Sequence, residues 1–376
     1  MKKKRGETLA HWLTGLPGIE ALPFNIDRRG LYRISDLYRG YDPKNPETWS
    51  QAFDHRVYEW TLEDPTAASP KTRRLKPYEV VAERLHDTAI GAAIDRFLTA
   101  ATHRLSKPVV GFMGGHDTPR NKPEFGQVAQ IARALRQEGF TIVSGGGPGL
   151  MEAANFGAFM APYADSHFDA ALGTLAAHPD ASDHVNWVKS ASDVRASLLP
   201  RWNAREKPDS ESVGVPTWFY GNEPPNLFAS HTGKYFFNSV REDGLVSIAG
   251  GGVIFGPGNA GTVQEVFQDA PLNFYRKAGA RATPMVLFGV HYWNPSICKD
   301  SQVVLPSGED PRKPVWPLLQ TLAGQAKESF QSALKLSDDP KDVVKFISDF
   351  HASTMAEGIR WTERAALFKG RAAAAL

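Results

Sequence analysis

Three apolar runs in the middle of the chain each lead into a glycine-rich turn, and this pattern constrains the fold more than any other feature. The turns lie at residues 111–115, 145–149 and 256–261. Short apolar runs bounded by turn residues predict buried strands, and a helical period follows each turn. Strands and helices that alternate over short glycine connections are typical of a parallel sheet covered by helices on both faces. The sequence therefore predicts an α/β fold with a doubly wound parallel sheet.

The remaining pattern predicts further elements around this centre. We expect a helix from Pro77 to near His103, strands at 109–115, 140–144, 215–220 and 283–288, and helices at 125–138, 230–242, 316–334 and 338–350. Residues 1–76 carry dense aromatic side chains and are interpreted as an arm that wraps over another surface. The His- and Asp-bearing residues 160–214 interrupt the alternation and are expected to form a solvated loop, because their spacing matches no metal site.

Composition excludes several classes of protein. The 376 residues carry 43 basic and 41 acidic side chains, so the net charge of +2 implies no nucleic-acid partner. The sequence has no uninterrupted apolar run of about 18 residues, which argues against a membrane span. Cys298 stands alone, which excludes an intramolecular disulfide and CxxC metal sites. The basic run 1–5 is followed by Gly6-Glu7-Thr8 rather than an apolar segment, so a cytoplasmic location is expected.

The glycine turns are the candidate ligand site. In parallel sheets ligands bind beyond the carboxyl ends of the strands, where these turns cluster. Glycine lets backbone N–H groups approach a ligand, and a helix N-terminus favours phosphate. One such turn is equally well explained as a tight connection, but three in one domain favour a phosphate-bearing ligand. None has the GxGxxG pattern, which disfavours a dinucleotide-binding oxidoreductase.

Polar residues after two of the turns are candidates for ligand contact. Thr262 is expected to cap a helix, with Glu265 in its first turn facing the ligand. His116, Asp117 and Arg120 follow the first glycine turn and should face the same crevice, with Arg120 able to pair with phosphate.

Two motifs resemble those of a known family. The segment from Ser144 to Met151, SGGGPGLM, resembles the GGGxxGLM motif of the LONELY GUY family of phosphoribohydrolases. The segment 257–265, PGNAGTVQE, is similar to that family's PGGxGTxxE motif. Glu223-Pro224-Pro225-Asn226 and the flanking helical extensions look more like the longer bacterial branch, which contains the pyrimidine/purine nucleotide 5′-monophosphate nucleosidases. The resemblance covers about residues 108–350.

The resemblance implies a Rossmann-like fold with helical N- and C-terminal extensions. Its implied parts are an N-terminal extension at 1–105, a nucleotide-binding domain at 106–300 with the insertion 160–214, and a C-terminal helical extension at 301–376. It further implies a homodimer or higher oligomer with active sites near the subunit interface, and no metal or redox cofactor. Arg241 and Glu265 are the implied catalytic residues. The implied substrate and phosphate contacts are Gly114, Gly115, Gly145, Gly146, Gly147, Gly149, Met151, Asn226, Gly258, Asn259, Ala260, Gly261 and Thr262.

The sequence departs from the family pattern at two places. Asn259 replaces the second glycine of PGG, and Gly256 is an extra residue before the proline. If Gly256 is an insertion, Arg241 takes the position of the family's catalytic arginine; without a gap, Glu242 does. The gapped register is preferred because residues 253–255 then align as the strand. The lysine beside that arginine becomes Glu242, a loss of positive charge.

The expected chemistry follows from these residues. Cleaving an N-glycosidic bond builds positive charge on the ribose and needs an activated water, and a carboxylate can serve both needs. Arg241 is expected to keep Glu265 ionised by lowering its pKa. These residues are consistent with the reaction that the resemblance implies, which is hydrolysis of nucleoside 5′-monophosphates to free base and ribose 5-phosphate. The alternative, motivated by Asn259 and the uncertain register of Arg241 and Glu242, is a non-catalytic nucleotide-binding sensor or carrier. A second alternative for the two residues is that Glu265 only caps a helix and that Arg241 is a surface residue.

Overall fold

The computed structural model describes residues 21–67, 71–105, 108–219, 223–275, 282–297, 311–326 and 330–356. The basic run at 1–5, Cys298 and the alanine-rich end at 362–376 lie outside the described residues.

Seven parallel strands form one sheet at the centre of the molecule. They are β1 (Val109–Met113), β2 (Thr141–Ser144), β3 (Ser212–Gly214), β4 (His231–Thr232), β5 (Gly252–Phe255), β6 (Met285–Phe288) and β7 (Leu334–Ser337). Their spatial order is β4-β3-β2-β1-β5-β6-β7. With helices between the strands, this is a doubly wound, Rossmann-like α/β fold, which confirms the predicted class.

The strand order reverses beside β1, and this point positions the glycine turns. Val110 pairs with Ile142 of β2 on one side and with Gly252 of β5 on the other. The chain builds outward from β1 to β4 and then returns to β5 on the opposite side of β1. The turns after β2, β1 and β5 therefore lie side by side at the carboxyl edge of the sheet, where doubly wound folds bind ligands.

The helices surround this sheet and its N-terminal covering. In chain order they are α1 (Ile34–Leu37), α2 (Phe53–Trp60), α3 (Pro77–Leu105), α4 (Pro123–Gln137), α5 (Leu150–Phe159), α6 (Asp165–Ala176), α7 (His184–Leu198), α8 (Asn238–Ile248), α9 (Ala260–Phe274), α10 (Val290–Trp293), α11 (Trp316–Gln325), α12 (Phe330–Ala333) and α13 (Pro340–Ala356). Short 3₁₀ turns occur at Pro46–Gln51, Pro208–Ser210 and Pro295–Ile297. The prediction was correct for α3, α4, α13 and the helices after the glycine turns.

The described part of the aromatic arm is packed into the core. Phe24, Tyr32 and Phe53 are buried and belong to the same hydrophobic cluster as the sheet. The hydroxyl of Tyr38 donates to the carbonyl of Pro225 at 2.7 Å, far along the chain. Because aromatic rings supply large apolar area with a polar tip, they can anchor a segment with little regular structure.

The prediction of a solvated loop at 160–214 was wrong. This segment contains α6, α7 and β3, and Phe168, Trp187 and Val194 are buried. Apolar residues recur at helical spacing in both helices, among polar residues that conceal the pattern. Of the nine His and Asp residues in this stretch, only Asp180 and His184 line the cavity described below.

Three other boundaries differ from the prediction. The strand expected at 215–220 lies just before it, at β3, because Pro216 interrupts the run. The helix expected at 230–242 is instead β4 followed by α8. The helix expected through residue 334 ends at Gln325, and Leu334–Ser337 forms the edge strand β7. Across the described ranges, each helix is too short or too polar to cross a membrane.

Candidate functional site

A cavity of about 910 Å³ opens at the carboxyl ends of β1, β2 and β5. Its volume falls in the range of small-molecule sites, roughly 300–1,000 Å³. The structure brings most predicted site residues to its lining: Gly114, Gly115, Gly149, Met151, Arg241, Asn259, Ala260, Gly261, Thr262 and Glu265. The predicted contacts Gly145, Gly146, Gly147, Asn226 and Gly258 do not line it.

Asn226 holds the second glycine turn in place from behind. It is fully buried, and its side-chain NH₂ donates to the carbonyls of Gly146 at 2.9 Å and Gly147 at 3.2 Å. Its side-chain oxygen accepts from the backbone of Phe228 and Ala229. All its hydrogen-bonding capacity is directed at protein groups, so its role is to shape the turn.

The first and second turns press against each other at Gly149. This residue is the N-cap of α5, has φ of +66°, and makes no side-chain cap because it has no side chain. A Cβ atom there would collide with the backbone of Gly115 and His116. Only glycine permits this approach. Gly149 gives α5 no side-chain cap, and the N–H of Leu150, the first residue of the helix, donates to the Gly115 carbonyl at 3.0 Å. Met151 and Glu152, the next residues of this first turn, line the cavity.

Asn259, the departure from the family motif, is the N-cap residue of α9 but makes no capping hydrogen bond. Its side-chain NH₂ instead donates to Asp117 at 2.9 Å, across to the first turn. The backbone N–H of Gly115 also donates to the Pro257 carbonyl at 2.8 Å. These contacts join the first and third turns and leave the start of α9 open to a ligand.

Thr262 is not the cap that the sequence suggested. It lies in the first turn of α9, buried, with its side chain against Gly258. The apolar-periodic residues from Val266 onward suggested a later start, and the helix instead begins at Ala260.

Arg241 and Glu265 face each other across the cavity wall. Arg241 projects from α8 and Glu265 from α9, and their Nη1 and Oε1 atoms are 3.6 Å apart. Both are largely buried, at 7% and 8% exposure. Arg241 Nε donates to the Asn238 side chain at 3.1 Å, which fixes the guanidinium. These contacts do not fit the alternative in which Arg241 is a surface residue and Glu265 only caps a helix.

Glu265 does not have the lowered pKa that was expected. Its pKa is raised from 4.5 to about 7, mainly by burial and to a lesser extent by the nearby charges of Glu242 and Glu223. Arg241 opposes this shift but does not overcome it. The effect of desolvation on the pKa exceeds that of the arginine, because the carboxylate is almost fully removed from water and the guanidinium is 3.6 Å away. A carboxyl group with such a pKa can exchange protons near neutral pH.

Glu242 is held differently from its neighbour Arg241. Its carboxylate accepts hydrogen bonds from the side-chain amides of Asn238 and, at 2.7 Å, Gln264. It lies 4.0 Å from Arg241 Nη2 and lines the cavity. The two alignment registers place either Arg241 or Glu242 at the position of the family's catalytic arginine. In the structure Arg241 contacts Glu265, whereas Glu242 accepts hydrogen bonds from side-chain amides.

Glu223 is a cavity residue that was not among the predicted contacts. Its carboxylate lies over Gly147, so that a Cβ atom on that glycine would be 2.5 Å from Oε1. The sequence contained a feature that could have indicated Glu223, because this residue begins the EPPN segment that carries part of the family resemblance.

Arg120 was expected to pair with phosphate, but its guanidinium is already engaged by protein groups. Its guanidinium binds Glu152 through Nε at 2.9 Å and Nη2 at 2.5 Å, and both side chains are fully buried. Trp187 Nε1 also donates to Glu152, at 3.1 Å. This network connects α7 to the start of α4 and to α5, and it makes a rigid wall of the cavity. Its three members are far apart in sequence, and no local pattern marks them.

The N-terminal arm supports the cavity from outside. The ring of Trp49 packs on His184, a lining residue, at 4.6 Å between centroids. Trp49 packs equally closely on His55. Burial, and next the charge of His55, lower the pKa of His184, so its ring is neutral at pH 7. The described chain contains no group of three or more His, Cys, Asp or Glu residues arranged to hold a metal ion.

Comparison with known proteins adds little to this picture. No protein-family model and no curated protein matches the chain. Among solved structures, the molybdenum cofactor binding protein from the phototrophic bacterium Rippkaea orientalis is similar at 15% identity, with a TM-score of 0.36. The match covers 65% of this chain and 97% of that chain. A likeness at this level carries no argument about ligand or activity, so the class stated above, a doubly wound α/β protein, rests on the sheet itself.

Proposed function

We propose that the chain hydrolyses the N-glycosidic bond of nucleoside 5′-monophosphates, releasing a free base and ribose 5-phosphate. The observation that carries this proposal is the Arg241–Glu265 pair, buried in a cavity onto which two uncapped helix N-termini open. The motif resemblance supports the same assignment.

We propose a role in the reaction for each part of the site. The starts of α5 and α9 hold the 5′-phosphate with backbone N–H groups. Ionised Glu265 stabilises the positive charge that develops on the ribose and accepts a proton from the attacking water. The water oxygen bonds to C1′ while the C1′–N bond breaks, and the electron pair of that bond leaves with the base. An uncharged base then takes up a proton from solvent, and Glu265 releases to solvent the proton that it accepted from water. Arg241 orients Glu265 and hydrogen-bonds the phosphate or a ribose hydroxyl.

The proposal extends to assembly and location. We propose a homodimer or higher oligomer in the cytoplasm, without nucleic-acid or membrane partners. Leu272 on α9, Tyr275 directly after it and Leu318 on α11 are exposed large hydrophobic side chains, and α9 packs against α11. Exposed hydrophobic side chains on neighbouring helices support contact with a second subunit.

The test is a panel of nucleoside monophosphates incubated with the protein, with free base measured by chromatography. Glu265→Gln keeps the shape of the side chain and removes its charge, so turnover should fall at least a hundredfold. Arg241→Gln should lose more activity than Glu242→Gln, and the reverse result would show that the ungapped register is right. Nucleotide binding without base release from any monophosphate would sink the hydrolase proposal and favour the sensor or carrier. Unchanged turnover by Glu265→Gln would contradict the catalytic role proposed for Glu265 and leave hydrolysis itself standing.

A further inference from the structure

The charges that line the cavity are strongly unbalanced. Two arginines and six carboxylates are among its described lining residues. Arg120 and Glu152 neutralise each other in their buried pair. Arg241 is then the second arginine of this described lining, and it contacts Glu265 and Glu242 at 3.6 and 4.0 Å. The lining places five carboxyl groups against this single guanidinium: Asp117, Asp180, Glu223, Glu242 and Glu265.

The carboxylate of Glu265 is not fully satisfied by the described protein groups around it. Its side chain is about nine-tenths buried and lines the cavity. Within the described ranges it accepts no hydrogen bond, and its ion pair with Arg241 at 3.6 Å is too long for one. Buried carboxylates are normally paired and hydrogen-bonded. An incompletely satisfied carboxylate that faces a cavity indicates a ligand that brings a donor or a cation.

The positive features of the cavity lie elsewhere, at its glycine turns. The start of α9 at Ala260 and the start of α5 at Leu150 carry the partial positive charge of their helices. Glu242 and Glu265 lie beside Arg241 instead. The part of the lining at the two helix starts is thus suited to an anion, and the part that carries Glu242 and Glu265 is suited to a cation.

We propose that the preferred substrates are nucleotides with a positively charged base, such as pyridinium or N7-alkylpurinium 5′-monophosphates. This inference rests on the proposed function, because it names the substrate class of the same site. The phosphate binds at the helix N-termini, and the cationic base lies against Glu223 and Glu242. A substrate with both charges matches both ends of the cavity.

The chemistry of such a substrate fits the groups that are present. When the C1′–N bond of a cationic base breaks, its electron pair neutralises the ring, and the base leaves without taking up a proton. No side chain then has to act as an acid toward the leaving group. The attacking water bonds to C1′ and gives one proton to Glu265, which passes it to solvent. The products are the neutral base, ribose 5-phosphate and one released proton.

The test compares two ligands of the same shape and different charge. The carbocyclic analogue of nicotinamide mononucleotide resists hydrolysis, because it lacks the ring oxygen that forms the oxocarbenium ion. Its dihydropyridine form has the same shape and an uncharged ring. Titration calorimetry on the full chain at low salt should show at least tenfold tighter binding of the cationic form. This ratio should narrow only slightly in 0.5 M salt, since salt screens a buried charge such as that of Glu242 much less than an exposed one. Equal affinities, or tighter binding of the uncharged form, would overturn the inference.

Variants identify the carboxylates responsible. Glu223→Gln and Glu242→Gln should each reduce the affinity ratio about threefold. Asp243→Asn is the matched control, because Asp243 is an exposed neighbour of Glu242 on α8 that does not line the cavity. Glu223 accepts no side-chain hydrogen bond among the described contacts, so its variant should fold even if Glu242→Gln does not. A ratio that both variants leave unchanged would contradict the assignment.

Failure of the inference is distinguishable from failure of the proposed function. Base release from neutral monophosphates, together with equal binding of the two analogues, would overturn the inference and leave hydrolysis standing. If neither analogue binds and no monophosphate releases base, both are overturned. Tight binding of the cationic analogue without base release from nicotinamide mononucleotide would support the ligand class and overturn hydrolysis.

Discussion

At the scale of single residues, the ionisation of Glu265 links stability to activity. Its pKa is raised from 4.5 to about 7, first by burial. The folded protein therefore keeps a proton that the unfolded chain releases. The stability that this gives is fully present below pH 4.5 and is lost as the pH rises through 7. The same ionisation produces the carboxylate that the reaction needs, so stability and activity should change in opposite directions with pH.

We expect Glu265→Gln to be more stable than the wild type at pH 8, by about 2–3 kcal/mol, because glutamine cannot ionise in the buried site. At pH 4.5 the two proteins should differ little. Urea unfolding at both pH values measures this. Burial also raises the pKa of Glu83 to about 7, but that residue is present in both proteins and cancels in the difference. An equal stability difference at the two pH values would contradict the assigned pKa.

The rate of base release should rise as pH increases through 7 in the wild type. The carboxylate form of Glu265 accepts the proton of water, and this form increases above its pKa. Initial rates of kcat/KM between pH 5.5 and 8.5 measure the profile. Asp243→Asn should give the same curve as the wild type. A rate that falls over this range would mean that Glu265 acts in its protonated form.

Asp117 should weaken the binding of phosphate. Its carboxylate holds Asn259 at 2.9 Å beside the open start of α9, close to where the phosphate is proposed to bind. Asp117→Asn removes a like charge and keeps the size, so KM for a monophosphate should fall about two- to fivefold. The effect is small because both residues are exposed and screened. The KM for the corresponding nucleoside should not change, and an equal change for both would exclude a phosphate-specific effect.

At the scale of elements, α3 sets the start of α8 and thereby the position of Arg241. Asp87 on α3 is buried and accepts from the backbone N–H groups of Phe236 at 3.0 Å and Phe237 at 2.9 Å. It also contacts His86 Nδ1 at 3.2 Å. Arg241 begins the second turn of α8, so its guanidinium depends on how that helix begins.

Asp87→Asn should destabilise the fold by about 1–3 kcal/mol, because an amide NH₂ cannot accept the backbone N–H groups that the carboxylate binds. Hydrogen exchange at residues 236–241 should become faster than at the sheet. Thr88→Ala is the control, since the Thr88 hydroxyl is exposed and bonds only within its own helix. Equal exchange protection in Asp87→Asn and the control would show that α8 does not depend on this contact.

Elements with a clear period and a glycine turn were predictable from sequence, and short or mixed ones were not. The runs that became β1, β2, β5 and β6 are apolar and end in recognisable turns, so pattern alone locates them. β4 has two residues, and β7 reads Leu-Lys-Leu-Ser with half-exposed side chains. β4 has too few residues to show a period, and β7 is as long as β2, β5 and β6 but has Lys335 within its apolar run.

The site was predictable where it is local and unpredictable where it depends on distant contacts. Glycine turns and the positions of Arg241 and Glu265 follow from short motifs. Asp117 and Asn259 are 142 residues apart, and Arg120 and Glu152 are 32 apart. Sequence proximity does not indicate such pairs. The raised pKa of Glu265 also depends on burial by the assembled fold, which no motif reports.

At the scale of the whole molecule, the N-terminal arm belongs to the site as well as to the core. Tyr32 bonds His86 of α3 at 2.9 Å, and Trp49 packs on His184 of the cavity wall. The insertion helix α7 lies between the arm and the cavity, so changes in the arm should reach the ligand through His184.

Trp49→Ala should therefore weaken ligand binding as well as stability. Loss of the ring removes the packing that orients His184, and we expect the affinity for a nucleoside monophosphate to fall about three- to tenfold. Stability should fall by about 1–2 kcal/mol, since Trp49 is only partly buried. Trp60→Ala is the matched control: this arm tryptophan packs on Phe24, Phe236 and Arg73, and none of these three residues lines the cavity. Calorimetric binding and urea unfolding of both variants separate the two effects. If Trp60→Ala lowers affinity as much as Trp49→Ala, the arm acts only through overall stability.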